Sequence, residues 1–225
     1  MEEETCIIAC ETLREELSLI MECRQCSYPV VWVDAGKHVW PDKLHLAIQE
    51  ALDALPPSCT TALALFGFCG NAMVGIRPPA QVLVFPRAAD CIPLFLGSQA
   101  AREAAGARTY FFTEGYLRSS GNIATEFRES LKRRGKNFAL HVVKTMMAHY
   151  RNIAVIDTGA FDPAKVLEEL TEFSQTIGIP VSVIPGNLRL IDALLAGDWN
   201  RNEFLIVPPG ETVTFEDALA VGKGQ

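Results

Sequence analysis

The stretch Thr61-Ala-Leu-Ala-Leu-Phe-Gly-Phe-Cys69 decides the fold. It is a short apolar run, bounded by Pro56-Pro57 before it and Gly70 after it, and it reads as a buried β-strand with a cysteine where the strand gives out. Two other runs have the same form: Thr5-Cys-Ile-Ile-Ala-Cys10 and Gln81-Val-Leu-Val-Phe-Pro-Arg-Ala-Ala-Asp-Cys91. Amphipathic stretches separate such runs along the whole chain, which is the pattern of βαβ units around a mostly parallel sheet.

Working outward, strands are expected at residues 5–10, 29–34, 61–68, 81–86, 108–113, 152–157, 180–184 and 204–207. Helices are expected at 11–21, 42–55, 93–105, 163–177 and 188–195, with a helical stretch at 123–150 interrupted by Gly135. The fold class is therefore α/β: a mostly parallel sheet with helices on both faces, doubly wound and Rossmann-like. Residues 1–225 form one domain or, alternatively, two similar lobes at 1–118 and 150–225 joined by helices at 119–150.

In a parallel sheet the carboxyl ends of all strands open on one side, and open α/β sheets place ligands there. Cys10, Cys69 and Cys91 fall on that side and are the candidate metal ligands. Three thiolates with a fourth position open suit a reactive metal or an iron-sulfur cluster better than a closed structural zinc. Helix starts and turns after each cysteine supply N–H groups that favour thiolates or an anionic ligand. Gly67, Gly70 and Asn71 around Cys69, and Arg87 and Asp90 before Cys91, are the candidate cofactor-binding residues. Arg87 could pair with Asp90 or with a substrate carboxylate or phosphate.

His38, in the loop after the second strand, is a candidate fourth ligand, outer-sphere donor or proton shuttle. Glu114, at the end of a later strand, is the other candidate catalytic residue. The remaining cysteines fall at the opposite end of the sheet. Among them, Cys23-Arg-Gln-Cys26 ends a helix, where the dipole opposes a thiolate, instead of opening one as redox motifs do.

Composition narrows the function further. The chain has 225 residues, 49% hydrophobic and 21% charged, with a net charge of -7, so no clustered basic surface for nucleic acid is expected. No apolar run approaches the roughly 20 residues of a membrane span, and the N-terminus opens on Glu2-Glu3-Glu4, so a cytoplasmic protein without a membrane partner is expected. Seven cysteines in such a protein are thiols, ligands or catalytic groups before they are disulfides. No phosphate loop, dinucleotide fingerprint or nucleophile elbow occurs, and a single Asp157-Thr-Gly159 is not the pair an aspartic protease needs.

The segments Phe66-Gly-Phe-Cys-Gly-Asn71, Pro86-Arg-Ala-Ala-Asp-Cys-Ile-Pro-Leu-Phe-Leu-Gly-Ser98, Thr113-Glu-Gly-Tyr116 and Ile156-Asp-Thr-Gly159 resemble the domain-of-unknown-function family DUF1638 over nearly the whole chain. The resemblance implies counterparts of Cys10, Cys69 and Cys91 and no Cys-x-x-Cys pair. It also implies a setting in one-carbon metabolism beside corrinoid-dependent methyltransferases. Ala88-Ala89 and Tyr116, where a Trp is expected, depart from the family's pattern. Two functions follow as expectations. One is a metal or iron-sulfur protein handling a small molecule in corrinoid methyl metabolism; the other is a metal-free accessory protein that binds a small anionic ligand or docks on a corrinoid protein or methyltransferase.

Overall fold

The computed structural model describes residues 4–221 and contains two parallel β-systems with helices packed around them. The first sheet is built from β1 (Glu4–Cys10), β2 (Val30–Val33), β3 (Cys59–Leu65), β4 (Val82–Pro86) and, from the far end of the chain, β8 (Phe204–Val207). Its order is β2-β1-β3-β4-β8. The first four are parallel, and β8 runs antiparallel along β4, pairing Leu83 with Val207 and Pro86 with Phe204. The second sheet holds β5 (Thr109–Phe112), β6 (Asn152–Asp157) and β7 (Val181–Pro185), all parallel.

The helices are α1 (Arg14–Arg24), α2 (Pro41–Asp53), α3 (Ile92–Leu96), α4 (Gln99–Ala104), α5 (Glu114–Arg118), α6 (Ile123–Arg134), α7 (Lys136–Met146), α8 (Pro163–Ile177), α9 (Arg189–Ala196) and α10 (Phe215–Leu219). Their ends follow local chemistry. Pro41 and Pro163 stand in the first turns of α2 and α8, where a missing N–H is harmless. Asp162 caps α8 by accepting the Ala164 N–H.

The strands expected at 152–157 and 204–207 are those observed, and the others differ at their ends by one to three residues. The helix expected over 93–105 is two helices, because Gly97 adopts φ +86 and closes α3 with a left-handed cap. The short helices α5 and α10, and the 3-10 turn Ala35–Val39, carry too little apolar periodicity to be read from sequence.

The sheets do not divide where the sequence suggests lobes. Strand β5 belongs with β6, while β8 crosses back to cover the edge of β4, which would otherwise present unpaired backbone groups. One core forms around β1, β3 and β4, and it also takes in Phe111, Ala154 and Ile156 from the second sheet. A smaller core centres on Phe112, Val155, Leu170 and Phe173. At the junction, Thr158 donates from its hydroxyl to the Glu16 carboxylate at 2.9 Å, and the Asn187 N–H after β7 donates to the Phe95 carbonyl of α3 at 2.7 Å.

In the first sheet the chain steps from β1 to β2 on one side, then crosses β1 to place β3 on the other. This reversal opens a crevice beyond the carboxyl ends of β1 and β3. The second sheet stands over that crevice.

Candidate functional site

Four strand ends deliver side chains to the crevice. Cys10 is the last residue of β1 and is fully buried. Its sulfur lies 3.1 Å from the Thr12 hydroxyl and 3.9 Å from Nδ1 of His38. His38 rides on the 3-10 turn after β2, which Asp34 fixes by accepting the Gly36 N–H at 2.6 Å. Its ring stacks on Phe66, with centroids 6.3 Å apart and planes 22° apart.

Cys69 follows β3 in a left-handed backbone conformation, φ +45, and Gly70 and Asn71 continue it at φ +69 and +70. Such a conformation in a non-glycine residue is held only where surroundings enforce it. The neighbouring loop supplies the enforcement: the Phe68 and Cys69 N–H groups donate to the carbonyls of Ala88 and Ala89 at 2.8 and 3.0 Å. Gly67 permits this stitching, because a Cβ there would stand 2.2 Å from the Asp90 carbonyl oxygen. The glycine serves the approach of two loops.

Cys91 precedes α3, with Asp90 accepting the Ile92 N–H at 2.9 Å. The two stitched loops set the Cys69 and Cys91 sulfurs 3.4 Å apart. His38, Cys69 and Cys91 each offer a ligand atom within 4.8 Å of the others, and among the described residues this is the group of that kind. The expected triad of thiols is thus regrouped. Cys69 and Cys91 meet as expected, an imidazole takes the third corner, and Cys10 sits against the imidazole.

The electrostatics follow from this packing. Burial works against a charged His38, but hydrogen bonding to the sulfurs of Cys10 and Cys91 outweighs it, so the imidazole is pushed up to about 10. The adjacent Cys69 sulfur, followed by burial, pushes the Cys91 thiol well up, and His38 opposes them. Both shifts favour the protonated ring and thiol, and a metal cation bound there would have to displace those protons.

The group lies in the wall of a cavity of about 420 Å³. Thr12, Cys69, Gly70, Asp90 and Cys91 belong to the first sheet's side; Tyr110, Phe112, Thr113 and Tyr116, with Tyr150, form the facing wall. The Tyr110 and Tyr116 hydroxyls pair with each other at 2.7 Å, and burial raises the pKa of both phenols, so the wall is neutral.

Other expected site residues are engaged by partners within the protein. Arg87 donates to the Arg201 carbonyl at 3.0 Å and faces Asp217, so it serves the edge at β8. Asp90 faces Arg102 instead, at 3.6 Å. Asn71 shapes the turn, its carbonyl accepting the Val74 N–H. Glu114 pairs with Arg118 at 2.5 Å and is not among the cavity's wall residues. Cys23 is exposed and Cys26 is half-buried beyond the C-terminus of α1, while the Cys59 thiol, buried and beside Cys6, is pushed up to about 12. Sequence reading missed the aromatic wall and Arg102, whose spacing resembles that of ordinary strand and helix residues.

Fold and site together define an α/β protein with a His-Cys-Cys group, able to hold a metal, at the switch point of a parallel sheet. The chain belongs to the family described as "Protein of unknown function (DUF1638)", whose sequence model matches residues 32–195. That span contains His38, Cys69 and Cys91, and Cys10 lies ahead of it. No curated protein and no solved structure matches the chain. No helix among the described residues is long and apolar enough to cross a membrane.

Proposed function

We propose that the protein is a metalloprotein whose centre is held by His38, Cys69 and Cys91, with a fourth coordination position open to the cavity. The observation that carries this reading is the convergence of three donors, from three loops of one sheet, within 4.8 Å at a cavity wall. Two thiolates and one imidazole are a donor set suited to a tetrahedral, thiophilic ion such as zinc. A mononuclear site with three protein ligands leaves one position for a substrate or water. Iron-sulfur clusters draw mainly on four cysteines, and here the third nearest sulfur, Cys10, is placed behind the imidazole.

A metal in this position would supply Lewis acidity, and a thiol that coordinates it would be deprotonated. His38 orients through its stack on Phe66, and Cys10 and Thr12 form an outer layer that tunes the ring. Activation of a thiol or of a methyl acceptor would accord with the corrinoid-linked one-carbon setting that the family resemblance implies.

The test is anaerobic purification with iron, zinc, cobalt and acid-labile sulfide measured per chain, followed by cobalt(II) loading of the stripped protein. One metal per chain without sulfide, and thiolate-to-cobalt charge-transfer bands lost in Cys69→Ser, are expected. A protein that takes up no metal under these conditions overturns the proposal, and stoichiometric sulfide replaces the mononuclear centre with a cluster.

A further inference from the structure

We propose that the cavity takes an organic carboxylate of small size, its anionic head paired with Arg102 and its apolar body laid against the tyrosine-lined wall. This takes the cavity to be the substrate side of the proposed metal centre.

Arg102 projects from α4 into the cavity wall, where its guanidinium lies over the Phe111 ring at 4.8 Å from the centroid. Its side chain is 23% exposed, yet the Nε is buried and without a hydrogen-bond partner among the described residues. The nearest carboxylate oxygen, of Asp90, stands 3.6 Å from that nitrogen, beyond hydrogen-bonding distance. The other Asp90 oxygen is engaged by the Ile92 N–H. Arg102 keeps only this long ion pair with Asp90, whereas other arginines hold their carboxylates at hydrogen-bonding distance: Arg24 on Asp192 at 2.6 Å, Arg118 on Glu114 at 2.5 Å, and Arg189 on Glu203.

A buried donor without a partner is costly, and a ligand acceptor that reaches it recovers that cost on binding. The planar fork of a guanidinium matches the two oxygens of a carboxylate. The Phe111 ring against the guanidinium limits its movement, so less freedom is lost when it engages.

The rest of the cavity decides the body of the ligand. Phe95, Phe112, Tyr110, Tyr116 and Tyr150 offer ring surface, and in the Tyr110–Tyr116 pair one hydroxyl donates to the other, which leaves the acceptor's own O–H outside the pair as a neutral donor. A volume of about 420 Å³ lies within the range of small-molecule sites. A phosphate dianion calls for more than one cationic side chain, and among the described residues that line the cavity Arg102 is the sole Lys or Arg, whereas a monocarboxylate with a flat or branched apolar body satisfies both ends.

The experiment uses the full chain and two probes, phenylacetate and its neutral analogue phenylacetamide, titrated calorimetrically, with metal content and thermal midpoint measured on the same samples. Phenylacetate is expected to bind wild type about tenfold or more tighter than the amide, as a recovered charged hydrogen bond implies. Arg102→Gln should erase that preference at unchanged metal content, and Arg102→Lys, which keeps the charge and the fold, should restore part of it. Equal binding of acid and amide, absence of binding by phenylacetate, or a preference that persists in Arg102→Gln overturns the proposal. A carboxylate preference in protein that takes up no metal supports it and removes the metal centre alone; metal uptake with no such preference does the reverse.

Discussion

The sulfurs of Cys69 and Cys91 are 3.4 Å apart although 22 residues separate them in the chain, because two loops bonded to each other carry them. Neither sulfur can move far from the other without breaking the Phe68–Ala88 and Cys69–Ala89 hydrogen bonds. Such a pair can share a metal or, without one, close on itself.

Stripped of metal, the pair should therefore form an intramolecular disulfide with hydrogen peroxide: two thiols lose two protons and two electrons, and peroxide takes them up to become two waters. The sulfurs need only draw together to about 2.0 Å. Alkylation and peptide mapping should find Cys69 joined to Cys91 in stripped protein and free thiols at both in metal-loaded protein. A pair left unjoined in stripped protein would contradict the close approach of the two sulfurs that the bonded loops impose.

Ligand and neighbour should be separable by substitution. Changing Cys69 or Cys91 to Ser should abolish stoichiometric metal, whereas Cys10→Ser, which alters only the sulfur beside His38, should weaken affinity by about 10–100-fold, as outer-layer changes do. Cys23→Ser and Cys26→Ser should leave metal content unchanged, since both residues stand away from the group. Competition with a chelator measures all five. Loss of metal in Cys10→Ser equal to that in Cys69→Ser would make Cys10 a ligand.

Glu16 gives the fold a pH signature. It is fully buried at the junction of the sheets, and burial raises its carboxyl from 4.5 to about 7 against the opposing bonds from its backbone and Thr158. The folded state therefore binds this proton more tightly than the unfolded chain does. The contribution is fully present below pH 4.5 and is lost as pH rises through 7, by about 3 kcal/mol. Glu16→Gln stays neutral and should be the more stable protein at pH 8, with the difference shrinking at pH 5. Urea unfolding at both pH values measures it, and a difference independent of pH would place Glu16 in contact with water.

Close backbone approaches should be as demanding as the ligands. Gly67→Ala puts a Cβ 2.2 Å from the Asp90 carbonyl oxygen, and Gly115→Ala puts one 2.4 Å from that of Thr12. Each should lower stability by about 1–3 kcal/mol or more, the range for forced overpacking. Gly67→Ala should in addition lose metal, because it pushes apart the loops that carry Cys69 and Cys91. Gly106→Ala, with nothing near its Cβ but φ +85, should be affected only by backbone strain and keep its metal.

The sequence by itself determined the α/β class, the parallel strands and the side of the sheet on which chemistry collects. Apolar runs such as 5–10 and 61–68 are local signals, and a cysteine at the end of a parallel strand can only stand at the carboxyl edge. Even the Cys-x-x-Cys pair was legible as remote from the site, since it ends α1 instead of opening it.

The tertiary structure decided the rest. Strand β8 joins the first sheet and β5 the second because pairing is a long-range choice made by edges and packing, with no periodicity to announce it. His38 displaces Cys10 from the group because Phe66 and the 3-10 turn aim its ring between the sulfurs, and sequence spacing carries no such angle. Arg102 faces the cavity because Gly97 breaks the helix before it, turning α4 so that Phe111 receives the guanidinium. Where the strands fall follows from local hydrophobicity, but which strands pair and which side chains converge is fixed only when separate segments are bonded into one surface.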